Sequence, residues 1–379
     1  MRVCLSLALL LLLCVPLAEA QPERRKGGSV PEGGVLKSGP LPDLNAFDLE
    51  GKPIKLRKLC EGKYTVLVAG CLTCPKFHQS YRAIEAASAD YAPKDVQFFY
   101  FYKSLRHPEL GGYVEPQNMD ERLLHVAEAK KKLGTKVPWI ADTLDDSLRI
   151  GLQSGSLSVY LISPKGEVVF GTDEIDEAGL RKALAKAAGP VDQPTSASDL
   201  DLPRVERAPR PINKESETGV ERPTTMTILS ITPTNPDETY YVKLRAEADQ
   251  DLIRTGSGRL FLGFYPDPIH DAKWNNLTPA MKYELATAEG VTATPAEATA
   301  AVGKGDSDTQ PRQFWVDIKS EGKPGEAKLT LHYFGCTPAF CKAMTHTYTI
   351  EFKAENRAAR TYGFKGRGNN RQRGDRPKR

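Results

Sequence analysis

The sequence has a single long apolar run and no second one. Leu, Ala and Val dominate from Leu5 to Leu17 behind Arg2, and the run ends in Ala18-Glu19-Ala20, a small-x-small pattern. It is shorter than the ~20 residues that span a bilayer, so residues 1–20 are predicted to be a secretory signal, cleaved on export to a secreted or periplasmic location. With no further apolar run, no transmembrane segment is expected in the mature chain. A large charge of either sign is missing too: 52 Lys and Arg stand against 48 Asp and Glu, a net +4. Much of that excess lies in the Arg-, Gly- and Asn-rich stretch 355–379, which lacks apolar periodicity and is expected to be a basic disordered tail. Behind an export signal, the tail is read as solvated, and no nucleic-acid partner is expected. No repeat at a solenoid period is visible.

Cysteine is sparse, and two of the seven, Cys4 and Cys14, leave with the signal. Cys60, Cys71, Cys74, Cys336 and Cys341 remain, an odd set with two close pairs in a compartment where disulfides persist. One of them is therefore unpaired or exchanges partners. Metal ligands are short as well. A zinc site at Cys71 and Cys74 needs two more soft ligands, and Cys60 with His78 or His107 matches the usual spacing poorly. No metal and no cofactor are expected.

Composition divides the chain. Residues 21–38 are polar and Gly-rich and read as a disordered leader, with structure beginning near Leu41. Residues 190–224 are dense in Pro, Ser and charge, an extended linker. Between them, 39–189 alternates strand and helix signals. KYTVLVAG is a buried strand, PKFHQSYRAIEAASADYA a helix with Pro75 in its first turn, and VQFFYFYKS a second strand. MDERLLHVAEAKKKLG is an amphipathic helix closed by Gly134. WIAD, the hairpin SVYLISPKGEVVFGT and a final helix complete an α/β, thioredoxin-like order. Residues 225–354 instead alternate apolar and polar positions between turn residues, and six or more such strands predict an all-β immunoglobulin-like sandwich.

The chemistry centres on GCLTCPKFHQSY. A buried strand running into a helix puts Cys71 and Cys74 where the helix's positive end and its unpaired N–H groups favour thiolate. Two cysteines three apart across that turn can also close a short disulfide, which makes a redox pair the leading reading. A structural disulfide and a metal half-site are the alternatives. Thr73 and Pro75 shape the turn, and His78, one turn on, tunes the pair or is an ordinary surface residue. In YFGCTPAFCKAMTHTYTIEF, Cys336 and Cys341 are close enough to form a static or an exchanging disulfide.

GCLTCPKF resembles the active-site turn of the iodothyronine deiodinase family, thioredoxin-fold proteins with roughly Gly-Ser-Cys-Thr-selenocysteine-Pro-Pro-Phe at this place. Gly70, Thr73, Cys74, Pro75 and Phe77 match, with Cys74 at the selenocysteine position. His107 and Pro108 match a His-Pro after the next strand, and Asp142, Asp145 and Asp146 an acidic segment further on. The chain departs from the family in carrying cysteine for selenocysteine and in having Cys71 at the Ser position and Leu72 at the Cys position. Ser104, Leu105 and Arg106 replace acidic residues before the His-Pro. Ser156 or Leu157 stands where thioredoxin-like proteins hold a cis-Pro. The second cysteine pair is similar to that of the amino-terminal immunoglobulin-like domain of thiol:disulfide interchange proteins, through Tyr333, Gly335, Cys336, Phe340 and Cys341.

The expectation is an exported thiol-dependent oxidoreductase acting through Cys71 and Cys74, with Cys336 and Cys341 either exchanging electrons with them or static, and served by a thiol reductant or partner redox protein. Either Cys74 attacks, with His107 moving a proton and Cys71 resolving, or Cys71 attacks and Cys74 resolves. A non-catalytic envelope binding protein with structural disulfides is one alternative. The other, implied by the resemblance, is a reductive deiodinase of an iodinated aromatic. The small-molecule substrate is not specified by the sequence.

Overall fold

The computed structural model describes residues 35–105, 113–155, 157–203, 205, 226–235, 237–322 and 324–354. The predicted signal, most of the leader and the basic tail lie outside these residues. In chain order the first unit contains β1 (Gly39–Pro40), β2 (Asn45–Phe47), β3 (Pro53–Lys55), α1 (Leu56–Leu59), β4 (Thr65–Gly70), α2 (Pro75–Tyr91), β5 (Gln97–Tyr102) and α3 (Met119–Leu133). It continues with β6 (Trp139–Asp142), α4 (Ser147–Gly151), β7 (Val159–Ile162), β8 (Glu167–Thr172) and α5 (Glu177–Ala188). One sheet takes the order β1-β8-β7-β4-β5-β6-β2-β3. β4 and β5 are parallel, whereas β7 is antiparallel to β4, and β8 to β7. This central order, with a βαβ unit followed by a hairpin and a closing helix, makes the unit thioredoxin-like.

The reasons are local. TVLVAG is buried at every position, as a strand covered on both faces requires. Asn118 caps α3 by accepting the Glu121 N–H at 2.9 Å, and Gly134 ends it in the left-handed region at φ +62°. The fold starts before Leu41: Val35 is buried, and the Leu36 N–H donates to Leu152 O at 3.3 Å.

The second unit contains β9 (Thr227–Pro233), β10 (Val242–Ala248), α6 (Gln250–Thr255), β11 (Gly258–Pro266), a 3-10 turn (Pro268–His270), β12 (Lys273–Asn275) and β13 (Lys282–Thr287). β14 (Val291–Thr294), β15 (Glu297–Thr299), β16 (Ser307–Asp308), β17 (Arg312–Ser320), β18 (Glu326–Thr337) and β19 (Phe340–Ala354) follow. Its strand pairs are all antiparallel. β9 passes between two layers, pairing with β10 through Thr227 and Ile228 and with β19 from Leu229 onward. Leu244, Leu262, Phe264 and Val316 of one layer share a core with Tyr283, Leu329, Tyr348 and Ile350 of the other. β18 alternates buried and open positions, the period of a half-buried strand. β10 departs from that alternation: Lys243, Arg245 and Glu247 are buried along with its apolar residues.

The stretch that composition marks as linker is strapped to the first unit as far as Pro203. Arg82 of α2 donates to Ala197 O at 3.2 Å, Leu202 O at 2.9 Å and Leu200 O at 2.6 Å. The Tyr81 hydroxyl is 2.8 Å from Pro203 O, and Asp90 receives the Thr195 hydroxyl at 2.6 Å. The two units also touch. Lys243 pairs with Glu121 of α3, and Ile269 of the 3-10 turn packs against the first unit's core.

Candidate functional site at the β4–α2 turn

Cys74 is the N-cap of α2, with extended backbone at φ −83° and ψ 107°, and Pro75 occupies the first turn. Gly70 ends β4 where a Cβ would come within 2.8 Å of the Phe77 ring. Glycine there lets Phe77 fold back over the strand end, and this sets the turn. Cys71 is 0% and Cys74 1% exposed, and each remains a thiol. Thr73 Oγ1 lies 4.0 Å from Cys71 Sγ. The adjoining Cys71 sulfur and burial hold the Cys74 thiol well above its ordinary range, while the Lys103 ammonium and the Phe77 N–H act in the opposite direction. Lys103, directly after β5, is itself buried.

Two further side chains reach the turn from elements that sequence reasoning did not connect to it. The Leu72 N–H, between the cysteines, donates to the Tyr102 hydroxyl at 3.4 Å, and that hydroxyl is 3.1 Å from His125 Nδ1. His125 is fully enclosed. Burial, then Lys243, Arg122 and His270, keep its ring neutral well below the usual imidazole range. Tyr102 lies within the predicted strand VQFFYFYKS and His125 falls on the inner face of an amphipathic helix, so the only signal for either was a polar group at a core position.

The acidic segment has a structural use. Asp142 accepts the Leu148 and Arg149 N–H groups at 2.8 and 2.9 Å and so opens α4. Asp146 receives the Ser104 N–H at 3.1 Å and the Ser104 hydroxyl, and is paired with Arg122 at 3.2 Å and Arg149 at 2.7 Å. Asp146, from the β6–α4 turn, thus holds Ser104 in place after β5. Asp145 stays outside this group and accepts from the Thr143 hydroxyl at 2.5 Å.

The remaining sequence candidates are scattered. His107 and Ser156 lie outside the described residues. Leu157 is buried before β7, and the cis peptide among the described residues is Thr294–Pro295. Cys60 is buried beside α1, where burial pushes its thiol up to about 12. Among the described residues no group of three or more His, Cys, Asp and Glu could hold a metal, and no helix is long and apolar enough to cross a membrane.

Cys336 and Cys341 form a disulfide across the last pairs of the β18–β19 hairpin, Cα to Cα 4.0 Å. Cys341 is exposed. Phe340 meets the Tyr241 ring edge-on at 5.1 Å, and Tyr241 meets His270 at 5.1 Å. The hairpin tip therefore connects by ring contacts to the 3-10 turn that lies on α3. A shallow cleft lies elsewhere in this unit, between Trp274, Met281, Arg312 and Phe334. Its Arg312 is already bound to Asp308 at 2.8 Å and Asn276 at 3.2 Å, so it belongs to loop packing.

No family model and no curated protein matches this chain. Solved structures do. A thiol:disulfide interchange protein from Bacteroides sp. is 14% identical over 42% of this chain and 94% of its own, with a TM-score of 0.32. A putative thiol:disulfide interchange protein DsbE from Chlorobium tepidum is 17% identical over 41% of this chain and 100% of its own, TM-score 0.32. A putative thioredoxin from Neisseria meningitidis is 21% identical over 40% and 91%, TM-score 0.31.

Proposed function

We propose that the chain is an exported thiol:disulfide oxidoreductase whose working pair is Cys71 and Cys74. One observation carries this reading: both thiols sit together at the junction of a buried strand and a helix amino terminus, where Cys71 and burial hold Cys74 protonated against the smaller pull of Lys103. Such a turn favours one thiolate, and its spacing lets the second cysteine resolve a mixed disulfide. We further propose that the β unit is an immunoglobulin-like module and that its Cys336–Cys341 disulfide, open to solvent at Cys341, is an electron-exchange partner in the same chain. The contact of the two units through Lys243 and Glu121, and the ring contacts from Phe340 to His270, support exchange in cis. A thiol reductant or a partner redox protein closes the cycle.

The test uses the mature chain with Cys71→Ser or Cys74→Ser. Each variant should lose dithiol-dependent reduction of a model protein disulfide, and the variant retaining the attacking cysteine should accumulate a mixed disulfide. Activity unchanged in both variants would overturn the reading. A trapped crosslink from Cys71 or Cys74 to Cys336 or Cys341 would support the cis route, and independent titration of the two pairs with no crosslink would remove it.

A further inference from the structure

The two units meet on one face of α3. Glu121 holds the Lys243 ammonium of β10, Asp267 stands 3.7 Å from the same ammonium, and Ile269 of the 3-10 turn packs against the first unit's core. His125 follows Glu121 by four residues, on the same side of the helix, and is 1% exposed. Its ring faces Arg122 of its own helix, Lys243 of β10 and His270 of the 3-10 turn. The Tyr102 hydroxyl of β5 lies 3.1 Å from Nδ1, and the Tyr113 ring meets the imidazole edge-on at 5.9 Å. The nearby carboxylates are engaged: Asp146 of the β6–α4 turn pairs with Arg122, and Glu121 with Lys243. Because the Tyr102 hydroxyl accepts the Leu72 N–H, its own proton is left for Nδ1 of a neutral ring. A ring protonated at Nδ1 would remove that acceptor and place a third positive charge beside Lys243 and Arg122. Burial, the largest effect, acts in the same direction.

We infer that the contact between the units is a proton-operated latch: a neutral His125 lets the β unit dock on α3, and a protonated His125 releases it. The latch turns on the Glu121 carboxylate. While the units are docked, Lys243 occupies it. When β10 and the 3-10 turn withdraw, Lys243 and His270 leave the ring and water reaches it. Glu121 is then free one turn N-terminal to His125, the order in which a carboxylate best supports a cation on a helix. Lys243 regains its water, which offsets much of the attraction it loses. The docked ring refuses a proton that the open form accepts, so docking is complete above the ordinary imidazole range near ~6.5 and weakens by up to about tenfold for each pH unit below it. His346 is not the trigger. Its Nδ1 is 3.3 Å from the Tyr333 hydroxyl, its Nε2 3.7 Å from Glu238, and Tyr240, Lys243, Lys342 and Glu121 also act on it. Glu238 belongs to the same unit and would receive a protonated His346 whether or not the units touch. Ring contacts from Phe340 through Tyr241 to His270 tie the hairpin disulfide to this contact, so the latch also sets the distance between the two cysteine pairs.

Small-angle X-ray scattering of the mature chain between about pH 8 and pH 5 measures the separation, with far-UV circular dichroism on the same samples. The radius of gyration should rise below about pH 6.5 while the dichroism holds. His125→Gln, which takes up no proton, should keep the compact radius across the range, and His346→Gln should open where the parent opens. Dichroism at neutral pH identifies a variant that fails to fold, and NMR of the parent then decides. The imidazole resonance assigned to His125 through its contacts with the Tyr102 and Tyr113 rings should titrate in step with the radius. A radius that stays constant in the parent would overturn the inference, as would an equal expansion in His125→Gln or an opening moved by His346→Gln alone. Expansion accompanied by loss of dichroism would be unfolding rather than release, and would overturn it too. No arm uses a disulfide substrate, so the redox reading stands or falls separately.

Discussion

Glu121 holds two structural units with one carboxylate. Its Oε2 accepts the Gln117 N–H at 2.7 Å at the start of α3, while its Oε1 receives the ammonium of Lys243 from β10 of the β unit. Both side chains are buried, and Asp267 stands 3.7 Å from the same ammonium. Removing one partner leaves the other charge enclosed without compensation, a cost of ~3–5 kcal/mol. Lys243→Met should therefore lower the urea midpoint sharply, and Lys243→Met with Glu121→Gln should recover part of the loss. The Gln side chain keeps an acceptor for Gln117. Equal midpoints for the single variant and the parent would show that the pair is not holding the units together.

Tyr102→Phe removes the acceptor of the Leu72 N–H and the hydrogen-bond partner of His125 in one change. With buried groups orphaned, a loss of ~1–3 kcal/mol is expected in chemical unfolding. Tyr102→Phe combined with His125→Leu should cost less than the sum of the single changes, because the orphaned imidazole goes too. Additive losses would contradict a direct coupling.

Stability should fall as the solution is acidified below neutrality. His346 is buried, with the Tyr240 ring 4.2 Å away, and burial lowers its pKa from the usual value to about 4. The unfolded chain then binds a proton that the folded chain refuses, so the stabilisation is complete above the unfolded value near ~6.5 and is lost as pH falls toward 4. His125 contributes with the same sign. For His346 the loss is on the order of 2 kcal/mol once solvent screening is allowed for. Urea unfolding at pH 7 and pH 4.5 measures it, and His346→Gln should flatten the slope.

Arg82→Ala should release the strap. Three backbone carbonyls from Ala197 to Leu202 lose a charged donor, worth ~2 kcal/mol together, which raises the open population roughly thirtyfold. Limited proteolysis within residues 190–203 should accelerate accordingly, with cleavage elsewhere unchanged. An unaltered cleavage pattern would show that the strap is held by packing alone.

Elements written in local pattern were legible. TVLVAG reads as a buried strand because every residue is small or apolar, and α3 ends at Gly134 because only glycine takes its left-handed backbone cheaply. The cysteine turn was legible for the same reason: a strand, a Pro and a helix period meet there within a dozen residues. Less was visible where a polar residue works far from its sequence neighbours. The buried lysine in VKLRAEA looked like the open side of a strand, although that side faces α3. Asp146 was noticed as part of an acidic segment, but not as the group that fixes Ser104.

By itself, then, the sequence determined where strands, helices and the cysteine turn form, since those follow from side-chain period, backbone preference and spacing over a few residues. Tertiary structure alone decided which groups surround the thiols. Parallel strands β4 and β5 finish side by side, which places Tyr102 and Lys103 beside the turn; α3 brings His125 to Tyr102, and the β6–α4 turn brings Asp146 to Ser104. It also left His78 with a buried, unpartnered nitrogen at the turn. Enclosure changes what each of these groups can do, because charge, proton affinity and hydrogen bonding depend on neighbours that only folding supplies.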